Sequence, residues 1–484
     1  MSSHSRIIEW TAMIRTHLPA LSKPQATVLA LWSLGMVLAR SSALTAVAAF
    51  LAMWLRRQEQ TVRQQVREWC DEAEAKRGDQ RQAVDPQAGF VPLLQWIVGQ
   101  WQGTQLALAL DATTLGTRFT VLAITVVYRG CAMPVAWTIL PANQPHAWRR
   151  EWLRLLRTLR PAIPTGWMVI VLADRGLYAG WLFRRIVRLG WHPFLRINAG
   201  GTFRPTGHGR FYPLATLAPH VGSCWRGTGT AFKRAPRQLP CTLLGCWEEG
   251  YTAPWLILTD VPLEASDACW YGLRAWIEQG FKVTKRAGWQ WQRTRMTEPQ
   301  RAARLWLAVA VATLWLLSVG GMADAAIPDR TLLDVSAALR VQRRQRRATR
   351  LRLVSAFRRG WTLILVALLD HEPLPLGTFL PEPWPMVSSI DATSTAWRKF
   401  SSGLCGQWIS HSRTPRIGPL EGLGHGLVEI VHKRQEPLAE LGNGGETGPF
   451  EQPPHKDAEP DFHLIQPGRR FGGIHKPDAM RRIL

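Results

Sequence analysis

Residues 104–140 read TQLALALDATTLGTRFTVLAITVVYRGCAMPVAWTIL, and their texture decides the architecture. Thr104–Leu110 is a short apolar run that stops at a carboxylate, Asp111. Phe119–Tyr128 is rich in β-branched residues and ends at Arg129-Gly130, a turn signal, after which Met133–Leu140 supplies another strand. The pattern is three strands linked by hairpins.

Working outward, Trp148 to Arg160 has helical periodicity, with Trp148, Trp152, Leu155, Leu156 and Leu159 on one side and arginines on the other. Trp167–Ala173, WMVIVLA, is a continuous apolar run of the kind found in a strand buried on both faces, and it also stops at a carboxylate, Asp174. Leu177–Leu189 returns to helix and Pro193–Ile197 to strand. The order predicts an α/β fold: a mixed sheet of three antiparallel strands followed by parallel ones, flanked by helices. Such sheets gather their ligands at the C-terminal ends of strands. If the first and fourth strands are neighbours, Asp111 and Asp174 lie side by side.

The flanks differ from this core. Met1 to about Lys76 reads as helices, ending in a charged amphipathic one from Arg56 to Glu74, and Pro86 to Pro92 reads as a linker. From Ala199 to Asp260 the chain turns to Gly, Pro and Thr with short runs (FYPLA, CTLLGCW, PWLILTD), which predicts a β-rich insertion. A helix carrying Glu278, an apolar helix to Met322 and a basic helical segment, Arg340 to Arg359, follow. The expected divisions are 1–95, 96–198, 199–262, 263–325, 326–381 and a tail at 382–484, whose Pro, Gly, Ser and His without periodicity predict disorder.

The 484 residues carry 59 Lys+Arg against 35 Asp+Glu, a formal charge of +24, which points to a polyanionic partner, nucleic acid before membrane. Seven scattered cysteines without a C-x-x-C pair argue against a disulfide scaffold and a structural zinc site, and fit a reducing cytosol. Cys241 and Cys246 could share a metal, against the plainer alternative of buried thiols. Thr27–Leu55 is split by Arg40-Ser41-Ser42 into halves that are short for a membrane span. Leu305–Met322 reaches spanning length but reads equally as a buried helix, and no signal peptide opens the chain.

Residues 267–286 read DACWYGLRAWIEQGFKVTKR. On a single α-helix, Tyr271, Arg274, Glu278 and Lys285 would fall in a stripe about 60° wide. Leu273, Trp276, Ile277, Gly280 and Thr284 would lie opposite, against a sheet. A carboxylate flanked by two cations and a phenol suits a metal ligand set among phosphate contacts. Cutting a phosphodiester calls for an activated oxygen nucleophile and a stabilised leaving oxygen. Two Mg²⁺ ions about 4 Å apart do both, and holding them takes about three carboxylates. Asp111, Asp174 and Glu278 would supply those three. Singly, each has a plainer alternative: turn residues for the aspartates, a solvated ion-paired face for the glutamate.

The spacing Y-x-x-R-x-x-x-E-x-x-x-x-x-x-K, met by Tyr271, Arg274, Glu278 and Lys285, resembles the signature of bacterial insertion-sequence transposases with a ribonuclease-H-like catalytic domain. ALALDATT around Asp111 and VLADRGLY around Asp174 look like the two aspartate motifs of that family, and PWLILTDVPLE looks like the stretch closing its insertion. The resemblance runs from about Leu106 to Gly321. It implies metal-dependent cleavage at transposon ends, a hairpin intermediate and joining to target DNA. It further implies two Mg²⁺ (Mn²⁺ substituting) held by Asp111, Asp174 and Glu278. Tyr271, Arg274 and Lys285 would hold phosphates, and Trp255 would receive a flipped base. The implied partners are double-stranded DNA and a second copy of the chain, with no membrane, at the bacterial nucleoid in the cytoplasm. Arg343, Arg344, Arg346 and Arg347 read as DNA-backbone contacts or as a solvated helix face. A catalytically decayed, DNA-binding descendant stays open as the alternative, as does a basic membrane-associated protein.

Overall fold

The computed structural model describes residues 3–76, 82–142, 148–327, 354–385 and 407–410. The chain divides into two units, residues 1–248 with 253–410, and residues 249–252 with 411–484. Nearly all of the described residues belong to the first. Arg343, Arg344, Arg346, Arg347 and almost all of the tail predicted to be disordered lie outside the described residues.

The predicted meander forms. β1 (Gln105–Leu115), β2 (Phe119–Tyr128) and β3 (Cys131–Pro141) pair antiparallel, and Arg129 and Gly130 turn the β2–β3 hairpin with φ of 45° and 80°. Positive φ at both positions gives the twist a tight hairpin needs. β4 (Met168–Ala173) runs parallel to β1, and β5 (His192–Arg196) parallel to β4. β2 is buried along its whole length and β4 almost so, as their uninterrupted apolar runs require.

The β-rich segment does not stand apart. Its strands β6 (Thr202–Pro205), β7 (Tyr212–Pro213), β8 (Ser223–Ala231), β9 (Leu239–Cys246) and β10 (Trp255–Thr259) continue the same sheet, because β10 pairs antiparallel with the edge β5 would otherwise leave open. The order is β3-β2-β1-β4-β5-β10-β9-β8-β6-β7, with a short β11 (Gln407–Ser410) against β8.

Helices α1 (Ser3–His17), α2 (Lys23–Ala39), α3 (Leu44–Leu55) and α4 (Glu59–Glu68) fill the N-terminal region. α4 is shorter than the charge pattern predicted. Arg40, in the left-handed region at φ 51°, ends α2, and α3 leaves at 94° to it. The predicted linker is instead a helical turn leading into α5 (Phe90–Gly99), whose Pro92 sits in the first turn, where no intrahelical N–H bond is lost. α6 (Arg149–Leu159) and α7 (Gly180–Arg188) bury their leucine faces.

α9 (Pro299–Ala325) is long and apolar enough to cross a membrane, but here protein surrounds it: every residue from Ala302 to Gly321 is buried. A helix apolar on all sides is the expected centre of a large core. Trp10 of α1 stacks on its Trp315 with ring centroids 4.4 Å apart, and Trp137 of β3 donates to the carbonyl of Ala303. Trp10 and Trp32 are therefore core residues, and Trp54 is half-buried. α10 (Ala356–Leu369) crosses α9 at paired glycines: a Cβ on Gly360 would come within 1.9 Å of the Leu316 carbonyl oxygen.

Candidate active site

The parallel pairing of β1 with β4 ends at Leu110 and Ala173. The next residue on each strand is an aspartate, so Asp111 and Asp174 stand side by side where the two strands separate. Asp111 is not at the end of its strand as predicted. β1 continues to Leu115 against β2, with Asp111 opposite Ala123, because the hairpin outlasts the parallel partner. Each carboxylate is fixed by a near neighbour: Ala112 N–H donates to Asp111 Oδ1 at 2.8 Å and Arg175 N–H to Asp174 Oδ1 at 2.7 Å.

The segment carrying the other motif residues is not one α-helix. Asp267 accepts the Cys269 N–H and starts a 3₁₀ turn over Ala268–Arg274; α8 (Ala275–Lys282) follows, then a π turn over Val283–Ala287. In a 3₁₀ turn, residues three apart eclipse one another, so Tyr271 and Arg274 keep one line despite the changed pitch. Leu273, Ile277, Gly280 and Thr284 are buried as predicted, with Trp276 half-buried. The stripe itself is not uniformly open to solvent: Tyr271 is buried and Glu278 exposed.

Arg274 joins the three acids. Its Nη2 lies 2.9 Å from Asp111 Oδ2 and 3.7 Å from Asp174 Oδ2, and its Nη1 lies 2.9 Å from Glu278 Oε1. The Tyr271 hydroxyl donates to Asp174 Oδ1 at 3.2 Å. Burial pushes the Asp111 carboxyl up to about 6; Arg274 and the Ala112 N–H pull it back, while Asp174 and Glu278 raise it further. Burial and Asp174 likewise raise the Tyr271 phenol. Burial works against the Arg274 charge, but Asp111 and Asp174 outweigh it and the guanidinium is held above its ordinary range. Lys285, half-buried, is lowered by burial and by Arg286, against the pull of Asp111.

Arg196, at the end of β5, was not anticipated. Its Nη1 lies 3.9 Å from Asp174 Oδ1, and its Nε, like that of Arg274, is buried without a partner. A cation ending the strand beside the Asp174 strand was the available signal. Trp255 opens β10 and packs edge-on against Tyr271, ring centroids 5.3 Å apart, with 9% of its surface exposed.

Carboxylate oxygens are the donors that Mg²⁺ and Mn²⁺ take, so the three acids fit such ions chemically. They are held together through a guanidinium, and among the described residues no three His, Cys, Asp or Glu stand as a ready ligand group. Cys241 and Cys246 are not a metal pair. Five residues apart in one strand, they face opposite sides of the sheet, and Cys246 instead meets Cys224 of β8, sulfur to sulfur at 2.6 Å.

One comparison with known proteins covers the stretch that holds these acids. Residues 103–315 match the family model described as Transposase DDE domain, from just before β1 into α9. Among solved structures, a piggyBac transposase in a synaptic complex with hairpin DNA aligns at 10% identity and a TM-score of 0.33, over 64% of this chain and 71% of that one. A likeness that loose bears no weight here. No curated protein matches. Residues 103–315, under half of the chain, are thus similar to a transposase DDE domain.

Proposed function

We propose that this chain is a DNA transposase that cuts at transposon ends and joins the freed 3′ end to target DNA. Asp111, Asp174 and Glu278 would hold two divalent cations, Mg²⁺ in the cell with Mn²⁺ able to substitute. When bound, such ions activate the attacking oxygen and stabilise the leaving oxygen of an in-line displacement. The convergence of the three acids on Arg274 at one edge of the sheet is the observation that carries this proposal.

The remaining residues divide the work of placing DNA. Arg196, Arg274 and Lys285 put three cations around the acids, where a phosphate group needs its charge met. Tyr271, by donating to Asp174, fixes that carboxylate's rotamer. Trp255, packed edge-on against Tyr271 and 9% exposed in the free chain, would take a base extruded from the duplex once its ring is uncovered on DNA, as a hairpin intermediate requires. Arg343, Arg344, Arg346 and Arg347 would extend the backbone contacts. The N-terminal helices would bind the transposon end, two copies of the chain would pair the ends, and the work would take place at the bacterial nucleoid.

The test is an end-labelled duplex carrying the inverted repeat that flanks the gene, incubated with the full chain in Mg²⁺, in Mn²⁺ and in EDTA. Nicks at the repeat boundary and a denaturation-resistant hairpin should form with either metal and not in EDTA. Cleavage without a hairpin would remove the hairpin step. Duplex binding without cleavage under either ion would make the chain a DNA-binding descendant.

A further inference from the structure

Arg274 occupies the point that a cation bound by the three acids would need. Its two terminal nitrogens already satisfy Asp111 and Glu278 at 2.9 Å each and lie 3.7 Å from Asp174. The guanidinium is mostly enclosed, with 14% of its side chain exposed, so it is an internal counter-ion rather than a surface partner. Without it, three acidic side chains would face one another across one sheet edge, with Asp111 largely buried. Like charges at that range oppose ionisation and folding alike.

We propose that Arg274 is an exchangeable stand-in for metal, withdrawn from the acids by a DNA phosphate, so that divalent cations bind well only once DNA is in place. The proposal rests on the function assigned above, in which the acids hold metal and DNA phosphate lies beside them. A guanidinium and a divalent cation compete for the same oxygens, and their like charges exclude joint occupancy. Entry of a cation therefore forces Arg274 off. In the free protein the displaced guanidinium would lose three carboxylates and gain nothing, which makes metal entry costly. A phosphate offers two oxygens in the geometry that guanidinium prefers, so DNA supplies the partner the acids give up. Arg196 and Lys285 cannot serve as the stand-in. Arg196 approaches only Asp174, at 3.9 Å, and Lys285 forms no ion pair with the acids. Because coupling is reciprocal, DNA must raise the affinity for metal by the factor with which metal raises the affinity for DNA. The consequence is an enzyme held inactive until it is on DNA.

The experiment is Mn²⁺ binding to the full chain by isothermal titration, with and without a short duplex. It compares the wild type with Arg274→Gln, Arg274→Lys and Asp111→Asn. Without DNA, Arg274→Gln should bind Mn²⁺ about tenfold more tightly than the wild type, within the usual range of coupling factors. The duplex should then tighten Mn²⁺ binding far more in the wild type than in the variant. Arg274→Lys, whose single ammonium cannot span the three acids, should lie between them, and it decides the matter if melting shows that Arg274→Gln is unfolded. Equal or weaker Mn²⁺ binding by the folded variants, or an unchanged effect of DNA, would overturn the exchange while leaving the metal site intact. Undiminished Mn²⁺ binding by Asp111→Asn would instead overturn the metal site itself, and the exchange with it.

Discussion

Gly280 of α8 rests on Ala132 of β3 so closely that a Cβ there would stand 3.0 Å from both the Cβ and the carbonyl oxygen of Ala132. The glycine sits two residues beyond Glu278, so this contact sets how near the sheet edge the glutamate is held. A backbone carbonyl in a strand cannot move aside cheaply, and the helix must lift instead.

Gly280→Ala should therefore separate stability from activity. Overpacking costs about 1–3 kcal/mol and helix propensity returns about 1, so the net loss should be near 1 kcal/mol. Cleavage should fall more than that loss explains, by about 100-fold, since a shift of about 1 Å in a catalytic group has that effect. Urea denaturation and single-turnover cleavage measure the two separately. Unchanged cleavage would mean that α8 is not positioned by this contact.

The Asp111 carboxyl gives a pH-dependent signature. Burial raises it to about 6 in the folded chain, above the ordinary unfolded value of about 3.9. The fold thus favours the protonated form. Ionisation costs stability, and that cost is absent below about pH 4, grows as pH rises through 6, and is full above it. Asp111→Asn should accordingly stabilise the metal-free protein by about 3 kcal/mol at pH 8 and leave it almost unchanged at pH 4. Urea midpoints at the two pH values would show it. Destabilisation at pH 8 would mean that the pairing with Arg274 outweighs the desolvation.

A second buried pair holds the far end of the meander. Arg129, in the β2–β3 turn, places Nη1 2.8 Å from Asp324 Oδ2 near the end of α9, with side-chain exposures of 6% and 2%. It also donates to the Leu380 carbonyl. Without Asp324 the buried Arg129 keeps only the longer contact from Nη1 to Glu382 Oε1, 3.6 Å, so Asp324→Ala should cost about 3 kcal/mol, the low end for a broken buried pair, read as a lowered urea midpoint. A loss under 1 kcal/mol would show that water or Glu382 compensates.

Strands β1 to β5 were legible because their apolar runs are dictated by burial on both faces, and the neighbouring aspartates followed from strand order alone. β8 was not. Its SCWRGTGTA is poor in β-branched residues and is held as a strand by pairing with β9 along its full length. The break of the Glu278 segment into three kinds of turn was hidden as well. Spacing cannot reveal that Gly288 and Trp289 both donate to the Val283 carbonyl and so widen the last turn. The pairing of Arg274 with Glu278 is a local i,i+4 contact and visible in sequence, whereas its reach to Asp111, 163 residues away, exists only in the fold. Arg196 belongs to the same class: strand adjacency, not motif, brings it to Asp174.

The most direct test is cleavage of a plasmid carrying the gene's flanking inverted repeats by the wild type, Asp111→Ala, Asp174→Ala and Glu278→Ala in Mg²⁺, with duplex binding measured alongside. If these three acids form the catalytic set, each variant keeps its affinity for DNA within a few-fold and loses cleavage by at least about 1,000-fold, the scale on which removing a catalytic group acts. Cleavage at the wild-type rate by any one of the three would contradict it.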